Sequence, residues 1–227
     1  MVPSTITIDG PVASGKSTIG YLLARRLGYL YLDTGAMYRA VTWVALSRGI
    51  SVEDEAAVTA LAEALCIDVI PPTADDGRQY TVLADGEDIT WDIRRPEVDG
   101  TVSVVAAYPG VREAMVAQQR RIAAAGRVVM VGRDIGTVVL PEADLKLYLD
   151  ATPQERARRR WLERRARGED VAYEEVLAMM LQRDRIDSQR AIAPLRVPEG
   201  AVVIDTTGLT VEDVLSRVLR LMEMADP

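Results

Sequence analysis

Apolar positions along this chain follow two rhythms. Short runs rich in β-branched and aliphatic residues recur: TITID at 5–9, YLYLD at 29–33, RVVMV at 127–131, LKLYLD at 145–150 and AVVID at 201–205. Runs this short and apolar predict strands buried on both faces. Between them the apolar positions take a helical spacing. KSTIGYLLARRLG at 16–28 and AMYRAVTWVALSRG at 36–49 each stop on a glycine, where the chain can leave the helix through a left-handed residue. A final helix starts with Thr210 and Asp213 in capping-box spacing. Strands alternating with helices predict an α/β fold, a five-stranded parallel sheet flanked by helices.

Two stretches depart from that alternation. Between about 66 and 90, strand-prone segments are interrupted by PPTADDGR and ADGED. Asp-Gly between such segments signals a hairpin, so a small antiparallel insertion with helices beside it is expected. The second is TPQERARRRWLERRARGED at 152–170, where Thr152, Pro153 and Glu155 supply an N-cap, a proline at the first helical position and a capping-box glutamate. Seven arginines follow between 156 and 167; Arg156, Arg160, Arg164 and Arg167 can share one stripe, while Arg158 and Arg165 lie elsewhere. A solvated face is the expectation for most of them.

Composition narrows the chemistry. With 227 residues, 48% of them hydrophobic, the chain is long enough to bury a substantial core. It has no histidine, so triads and zinc sites that need one are excluded, and Cys66 as the single cysteine excludes an internal disulfide or a CxxC pair. The net charge of −7 predicts no nucleic-acid partner. No apolar run reaches the ~20 residues that span a bilayer, so no membrane is expected. A strand at the outset predicts no leader, and the cytoplasm is the expected compartment. Of the 27 basic residues, all but Lys16 and Lys146 are arginines. Genomic base composition can produce this, yet guanidinium also suits bidentate phosphate recognition. Cys66, Trp43, Trp91, Trp161 and most methionines, Met179 and Met180 included, read as structural; Tyr38 serves either packing or a base contact.

Lys16 sits in the one strong motif. Gly10, Gly15, Lys16 and Ser17 fit G-x-x-x-x-G-K-[ST], with a strand before and a helix after. The loop Gly10, Pro11, Val12, Ala13, Ser14, Gly15, Lys16, Ser17 and Thr18 is therefore a nucleoside triphosphate cradle. Backbone N–H groups and a helix N-terminus face the phosphates, Lys16 neutralises their terminal oxygens, and Ser17 can ligate Mg²⁺. The guanine-reading NKxD of GTPase switches is absent, and DTTG at 205–208 reads as a strand end followed by a turn. A hydroxyl acceptor usually needs a general base. A phosphate acceptor is already anionic and needs fixed cations instead. An arginine-rich chain without histidine suits the second chemistry better.

ITIDGPVASGKST, YLDTGAMYRA, GRDIGTVVLPEADLKLYLDAT, RDRIDSQRAIAPL and VVIDTTGLTVEDV, in this order through nearly the whole chain, resemble the bacterial cytidylate kinases of the nucleoside monophosphate kinase family. The resemblance implies ATP as donor, CMP and dCMP as acceptors, Mg²⁺ as cofactor and direct in-line transfer in pyrimidine nucleotide metabolism. It implies a P-loop NTPase-type core at about 1–37, 103–151 and 190–227. A CMP-binding antiparallel insertion at about 38–102 and a short helical lid at about 152–189 complete the expected organisation, in a monomer. Lys16, Arg133 and Arg190 would be catalytic. Arg39, Arg133 and Arg190 would hold the CMP phosphate, and Ser103, Arg183 and Asp187 the sugar. Thr34, Arg112 and Asp134 would read the base, Asp134 accepting from the N4 amine and Arg112 donating to N3 and O2. Alternatives stay open: Arg112 as a solvated helix residue, Asp134 as a local partner of Arg133, and Arg183 with Asp187 as a surface ion pair. Positions 183, 187 and 190 share a helical face, and the apolar AIAPL that follows suggests an inward-packed helix end. Val131 stands where the family usually has an acidic residue; metal support beyond Ser17 is therefore open, with Asp9 and Asp33 as outer-sphere candidates.

Overall fold

The computed structural model describes residues 2–189 and 192–224. In chain order the elements are β1 (Thr5–Asp9), α1 (Lys16–Leu27), β2 (Leu30–Asp33), α2 (Thr34–Ser47), α3 (Glu55–Ala64), β3 (Ile67–Ile70), β4 (Thr81–Ala84), β5 (Glu87–Asp88), α4 (Pro96–Val105), α5 (Pro109–Ala123), β6 (Val128–Val131), β7 (Leu145–Asp150), α6 (Pro153–Ala166), α7 (Tyr173–Gln189), β8 (Val202–Asp205) and α8 (Val211–Met224). The main sheet is five-stranded and parallel, in the order β2-β6-β1-β7-β8. A second, antiparallel sheet has the order β3-β4-β5. The chain divides into two compact units, Met1–Leu27 with Val129–Pro227, and Gly28–Val128.

In the first unit, β1 pairs with β7 and β7 with β8, all in parallel register, Asp9 opposite Tyr148 and Asp150 opposite Asp205. Parallel strands bring their carboxyl ends to one edge, the place where α/β sheets bind ligands. Ile6, Ile8, Leu147, Leu149 and Ile204 are completely buried between the helical layers. Helix α1 buries Ile19, Gly20, Leu23 and Ala24, two i,i+4 pairs on one face. Helix α8 opens with the capping box its sequence predicts: Thr210 N–H donates to Asp213 Oδ2 at 3.0 Å, and Asp213 N–H donates to Thr210 Oγ1 at 3.1 Å. Its buried Val214, Val218 and Met222 fall at i, i+4 and i+8, each stabilising by about 1.5–3 kcal/mol.

In the second unit, the ADGED signal makes the β4–β5 hairpin, Asp85 and Gly86 both taking positive φ (50° and 86°) at the turn. Arg78 clamps the long β3–β4 connection to β5, pairing with Asp76 at 2.7 Å and Asp88 at 2.5 Å. Helices α2 to α5 cover this sheet and bury Met37, Val41, Val58, Val98, Val111 and Met115.

Two boundaries and one cap depart from the sequence expectation for local reasons. Helix α2 begins at Thr34 rather than 36, because the Asp33 carboxylate accepts the Gly35 N–H at 3.0 Å and caps it. Strand β6 starts at Val128, since Arg127 has a left-handed φ of 52° that no strand residue can take. At α6, Thr152 Oγ1 accepts the Glu155 N–H, but the reciprocal bond of the box is missing. The Thr152 N–H goes instead to Thr207 Oγ1 at 3.0 Å, and Glu155 turns to Arg158 and Arg159.

Candidate active site

The loop between β1 and α1 has the form its glycines predict. Gly10 takes φ of +144° and Gly15 +96°. A side chain at Gly10 would place its Cβ 2.0 Å from the Leu149 carbonyl oxygen, so only glycine lets the loop lie this close to β7. Ala13 is held at φ +59°, a conformation that costs about 1–2 kcal/mol in a residue with a Cβ. Lys16 Nζ donates to the Pro11 carbonyl at 2.6 Å, folding back across the loop. Ser17 and Thr18 are exposed at the start of α1. Among the described residues, Ser14 Oγ is buried without a hydrogen-bond partner. A glycine-lined concavity, a cation folded over it, exposed hydroxyls at a helix N-terminus and a buried orphan hydroxyl fit a polyphosphate with an associated Mg²⁺. Among the described residues no cluster of three or more His, Cys, Asp or Glu side chains placed to hold a metal ion occurs.

Three contacts from distant sequence hold the loop. Thr206, after β8, donates its hydroxyl toward the Ser14 carbonyl at 3.2 Å and the Asp150 carbonyl at 3.0 Å. Arg159 braces Thr206, reaching its carbonyl at 2.6 Å and its hydroxyl at 3.0 Å. Arg156 donates to the Val12 carbonyl at 3.3 Å and the Ala151 carbonyl at 2.9 Å. It also grips Asp184 of α7 with both ends of its guanidinium, at 3.1 and 2.6 Å. Val12 and Ala13 pack on the α6–α7 cluster of Ala157, Val176 and Met180. Arg156 is thus one of the most buried charges in the chain (3% exposed), not a member of a stripe with Arg160, Arg164 and Arg167. Those three sit in surface pairs, Arg160 and Arg167 with Glu163, and Arg164 with Glu169. Nothing local in a run of seven arginines marks 156 as the inward one; the partner that does lies on the next helix.

The GRD segment follows β6. Arg133 Nε lies 3.0 Å from Asp187 Oδ2, so two predicted site residues meet across α7. Asp187 is buried, and its Oδ2 is aligned with no hydrogen-bond donor among the described residues. The contact is an ion pair whose acceptor capacity is unspent. Arg183, one turn earlier, is exposed, so it is not Asp187's companion in burial. Of the AIAPL segment, Ala191 lies outside the described residues and Ile192 is exposed, while Leu195 is buried and its N–H donates to the Asp187 carbonyl at 2.8 Å. Arg190 lies outside the described residues. Asp134 is buried at 7% exposure. It begins a wide helical turn, Ile135–Val139, without capping that turn with its own side chain. Asp9 takes that place: its Oδ1 accepts the Ile135 N–H and its Oδ2 the Gly136 N–H, both at 2.7 Å. Burial pushes the Asp9 carboxyl up to about 6; the nearby Asp134 charge adds to the rise, and the two N–H donors and Lys16 oppose it.

In the second unit, Arg112 is 5% exposed. Its guanidinium carbon stands 5.6 Å from the centre of the Tyr38 ring, and Nη1 donates to the Ala106 carbonyl at 3.3 Å. The solvated alternative for Arg112 is therefore excluded, and Tyr38 is a buried platform beneath it. Thr34 is buried at the first turn of α2. Arg39 pairs with Asp99 at 2.5 Å and donates to the Ile93 carbonyl at 3.1 Å. Ser103 is exposed on α4.

A model of the family described as cytidylate kinase matches residues 6–224. A cytidylate kinase of Chloroflexus aggregans is 53% identical over 96% of this chain and 93% of its own length. That of Herpetosiphon aurantiacus is 51% identical over 97% and 94%, and that of Bacillus licheniformis 46% over 96% and 95%. Among solved structures, a shikimate kinase from Bacteroides thetaiotaomicron superposes with a TM-score of 0.50 at 13% identity, covering 96% of this chain and 98% of its own; it is similar in fold alone. A match that runs from β1 to α8, with relatives this similar over nearly the whole of both chains, makes this chain a member of the cytidylate kinase family.

Proposed function

We propose that the protein phosphorylates CMP and dCMP at the expense of ATP, giving CDP and dCDP by direct in-line transfer in pyrimidine nucleotide metabolism. Membership of the cytidylate kinase family over residues 6–224 is the observation that carries this reading. Residues 10–18 hold the triphosphate of ATP, Lys16 leaving the Pro11 carbonyl for the phosphate oxygens. Ser17 would hold Mg²⁺, which would supply positive charge to screen the phosphates during transfer.

The acceptor's phosphate oxygen is an anion already, so no side chain has to remove a proton. The obstacle is repulsion. Two unit negative charges about 4 Å apart cost about 4 kcal/mol at an effective dielectric of about 20, a sizeable share of a barrier in which each 1.4 kcal/mol or so is tenfold in rate. Fixed guanidinium groups offset it without reorganising. Arg133 and Arg190 supply that charge beside the transferring group, with Arg39 on the acceptor phosphate. Asp187, its Oδ2 unspent beside Arg133, accepts from the sugar hydroxyl, with Ser103 and Arg183 alongside. Asp134 accepts from the cytosine N4 amine and Arg112 donates to N3 and O2, near Thr34. The acceptor-binding part spans about 38–102 and the lid about 152–189. The protein acts as a cytoplasmic monomer on small molecules, with no nucleic acid or membrane as partner. No helix among the described residues is long and apolar enough to cross a bilayer.

A coupled ADP-release assay over CMP, dCMP, UMP, AMP and shikimate tests the reading. Turnover highest with CMP and dCMP is the expected outcome. Preference for UMP or AMP would overturn the base assignments, and preference for shikimate the acceptor class.

A further inference from the structure

Asp9 ends β1 one residue before the nucleotide loop, yet its hydrogen bonds go to a different segment. It is fully buried, and both carboxylate oxygens accept backbone N–H groups 126 and 127 residues away, those of Ile135 and Gly136, at 2.7 Å each. These are the first two donors of the turn that Asp134 begins. An aspartate opening a helical turn ordinarily bends back to accept the N–H two or three residues on. Here the nearer of those two, the Gly136 N–H, is taken by Asp9, and Asp134 makes no side-chain capping bond to the other, the Thr137 N–H, either. The turn is pinned from a second side as well. A Cβ on Gly136 would lie 2.9 Å from Pro198 Cγ and 3.1 Å from Thr7 Oγ1, so the backbone here is seated directly on β1 and the 198 loop.

We infer that Asp9 is a positioning residue for base recognition: by taking the two donors at the head of the 135–139 turn, it keeps the Asp134 carboxylate from capping its own backbone and holds it toward a pyrimidine amine. The inference rests on the proposed role of Asp134 as the reader of the N4 amine. It assigns to the aspartate beside the P-loop a task in choosing the acceptor.

The test compares the kcat/KM ratio of CMP over UMP in the whole chain, with Asp9→Asn, Asp134→Ala and the double variant. UMP carries an acceptor at the position where CMP carries an amine, so a displaced Asp134 carboxylate loses its power to tell them apart. Asparagine is isosteric, but its amide meets one of the two N–H groups donor to donor, which returns that N–H to Asp134. Asp9→Asn is expected to lower the ratio about tenfold and to raise the KM for CMP more than the KM for ATP. The double variant is expected to match Asp134→Ala alone, as residues acting in series do. A purely structural role would lower turnover with both acceptors and leave the ratio where it was. If Asp134→Ala lowers the ratio while Asp9→Asn keeps it, the positioning role is wrong and base reading stands. If Asp134→Ala itself leaves the ratio unchanged, base reading falls first. Should Asp9→Asn fail to fold, Asp9→Ser, whose single short hydroxyl leaves at least one of the two N–H groups to Asp134, replaces it in the same comparison. Independently, amide exchange in the unsubstituted chain should be slow at Ile135 and Gly136; exchange at the rate of an exposed loop overturns the inference without any variant.

Discussion

Removing the Asp184 carboxylate is expected to cost more stability than any surface charge in the chain, and to loosen the P-loop. The Arg156 side chain is 4% exposed and that of Asp184 22%, with two parallel hydrogen bonds between them. Asp184→Ala leaves a buried guanidinium with, among the described residues, the Ala151 and Val12 carbonyls as its hydrogen-bond partners. Breaking a buried pair from one side typically costs about 3–5 kcal/mol. Asp184 is partly open to water, which can enter the vacated site, so the lower end, about 3 kcal/mol, is expected. For a chain of 227 residues that is a fall in Tm of about 6–12 °C. Replacing both partners with apolar side chains, Arg156→Met with Asp184→Leu, should recover all but about 1 kcal/mol, because no charge is then stranded. Urea titration at fixed pH measures both variants, and an unchanged m-value keeps the comparison valid. The kinetic consequence separates from the stability one. The double variant regains stability but still lacks the Arg156 bond to Val12, so its KM for ATP should stay elevated while its KM for CMP does not move. A loss under about 1 kcal/mol in Asp184→Ala, or a double variant as unstable as the single, would refute the buried-pair argument.

Further outcomes follow from the same geometry. Gly10→Ala should abolish ATP binding in calorimetry, since its Cβ would fall 2.0 Å from the Leu149 carbonyl at a φ of +144° that alanine resists; near-normal affinity would mean that the loop does not lie against β7. Asp9 binds its proton more tightly when folded, at about 6 against 3.8 for the ordinary carboxyl, so its contribution is fully present below pH ~4 and is lost as pH rises through 6. The loss is about 3 kcal/mol. Asp9→Asn should lack that fall, and urea midpoints of the two proteins that run parallel from pH 4.5 to 7 would contradict it. Asp187→Ala should raise the KM for CMP more than that for dCMP if its carboxylate accepts from the ribose 2′-hydroxyl; equal rises would assign it to another part of the nucleotide.

What the sequence makes legible here is what short-range forces decide. The alternation of apolar runs and helical spacing foretells the five-stranded sheet, and the Thr210–Asp213 box and the Asp85–Gly86 hairpin form as their residues require. The P-loop is readable because its chemistry is local: the glycines, the lysine and the serine lie within eight positions. What stays hidden is decided by partners far along the chain. Arg156 differs from Arg160 only through an aspartate 28 residues on. Thr152 loses half of its expected capping box because Thr207, 55 residues later, offers a closer acceptor. Asp9 reads as a strand end or an outer-sphere helper until its two oxygens are found on a turn 126 residues away.

Those distant contacts share a physical logic. A polyphosphate cradle has to present backbone N–H groups outward, so those of its carbonyls that Lys16 does not reach must be satisfied from behind, by donors from elsewhere in the chain. Here the Val12 carbonyl is met by Arg156 and the Ser14 carbonyl by Thr206, and Leu149 lies against Gly10. Each donor comes from just beyond the carboxyl end of β7 or β8, which parallel pairing brings to the edge where β1 releases the loop. The sheet topology and the chemistry of the site are therefore one constraint. A loop that must leave its N–H groups for a ligand is stable only where neighbouring strands end beside it with donors to spare, and the arginine-rich segment after β7 supplies them.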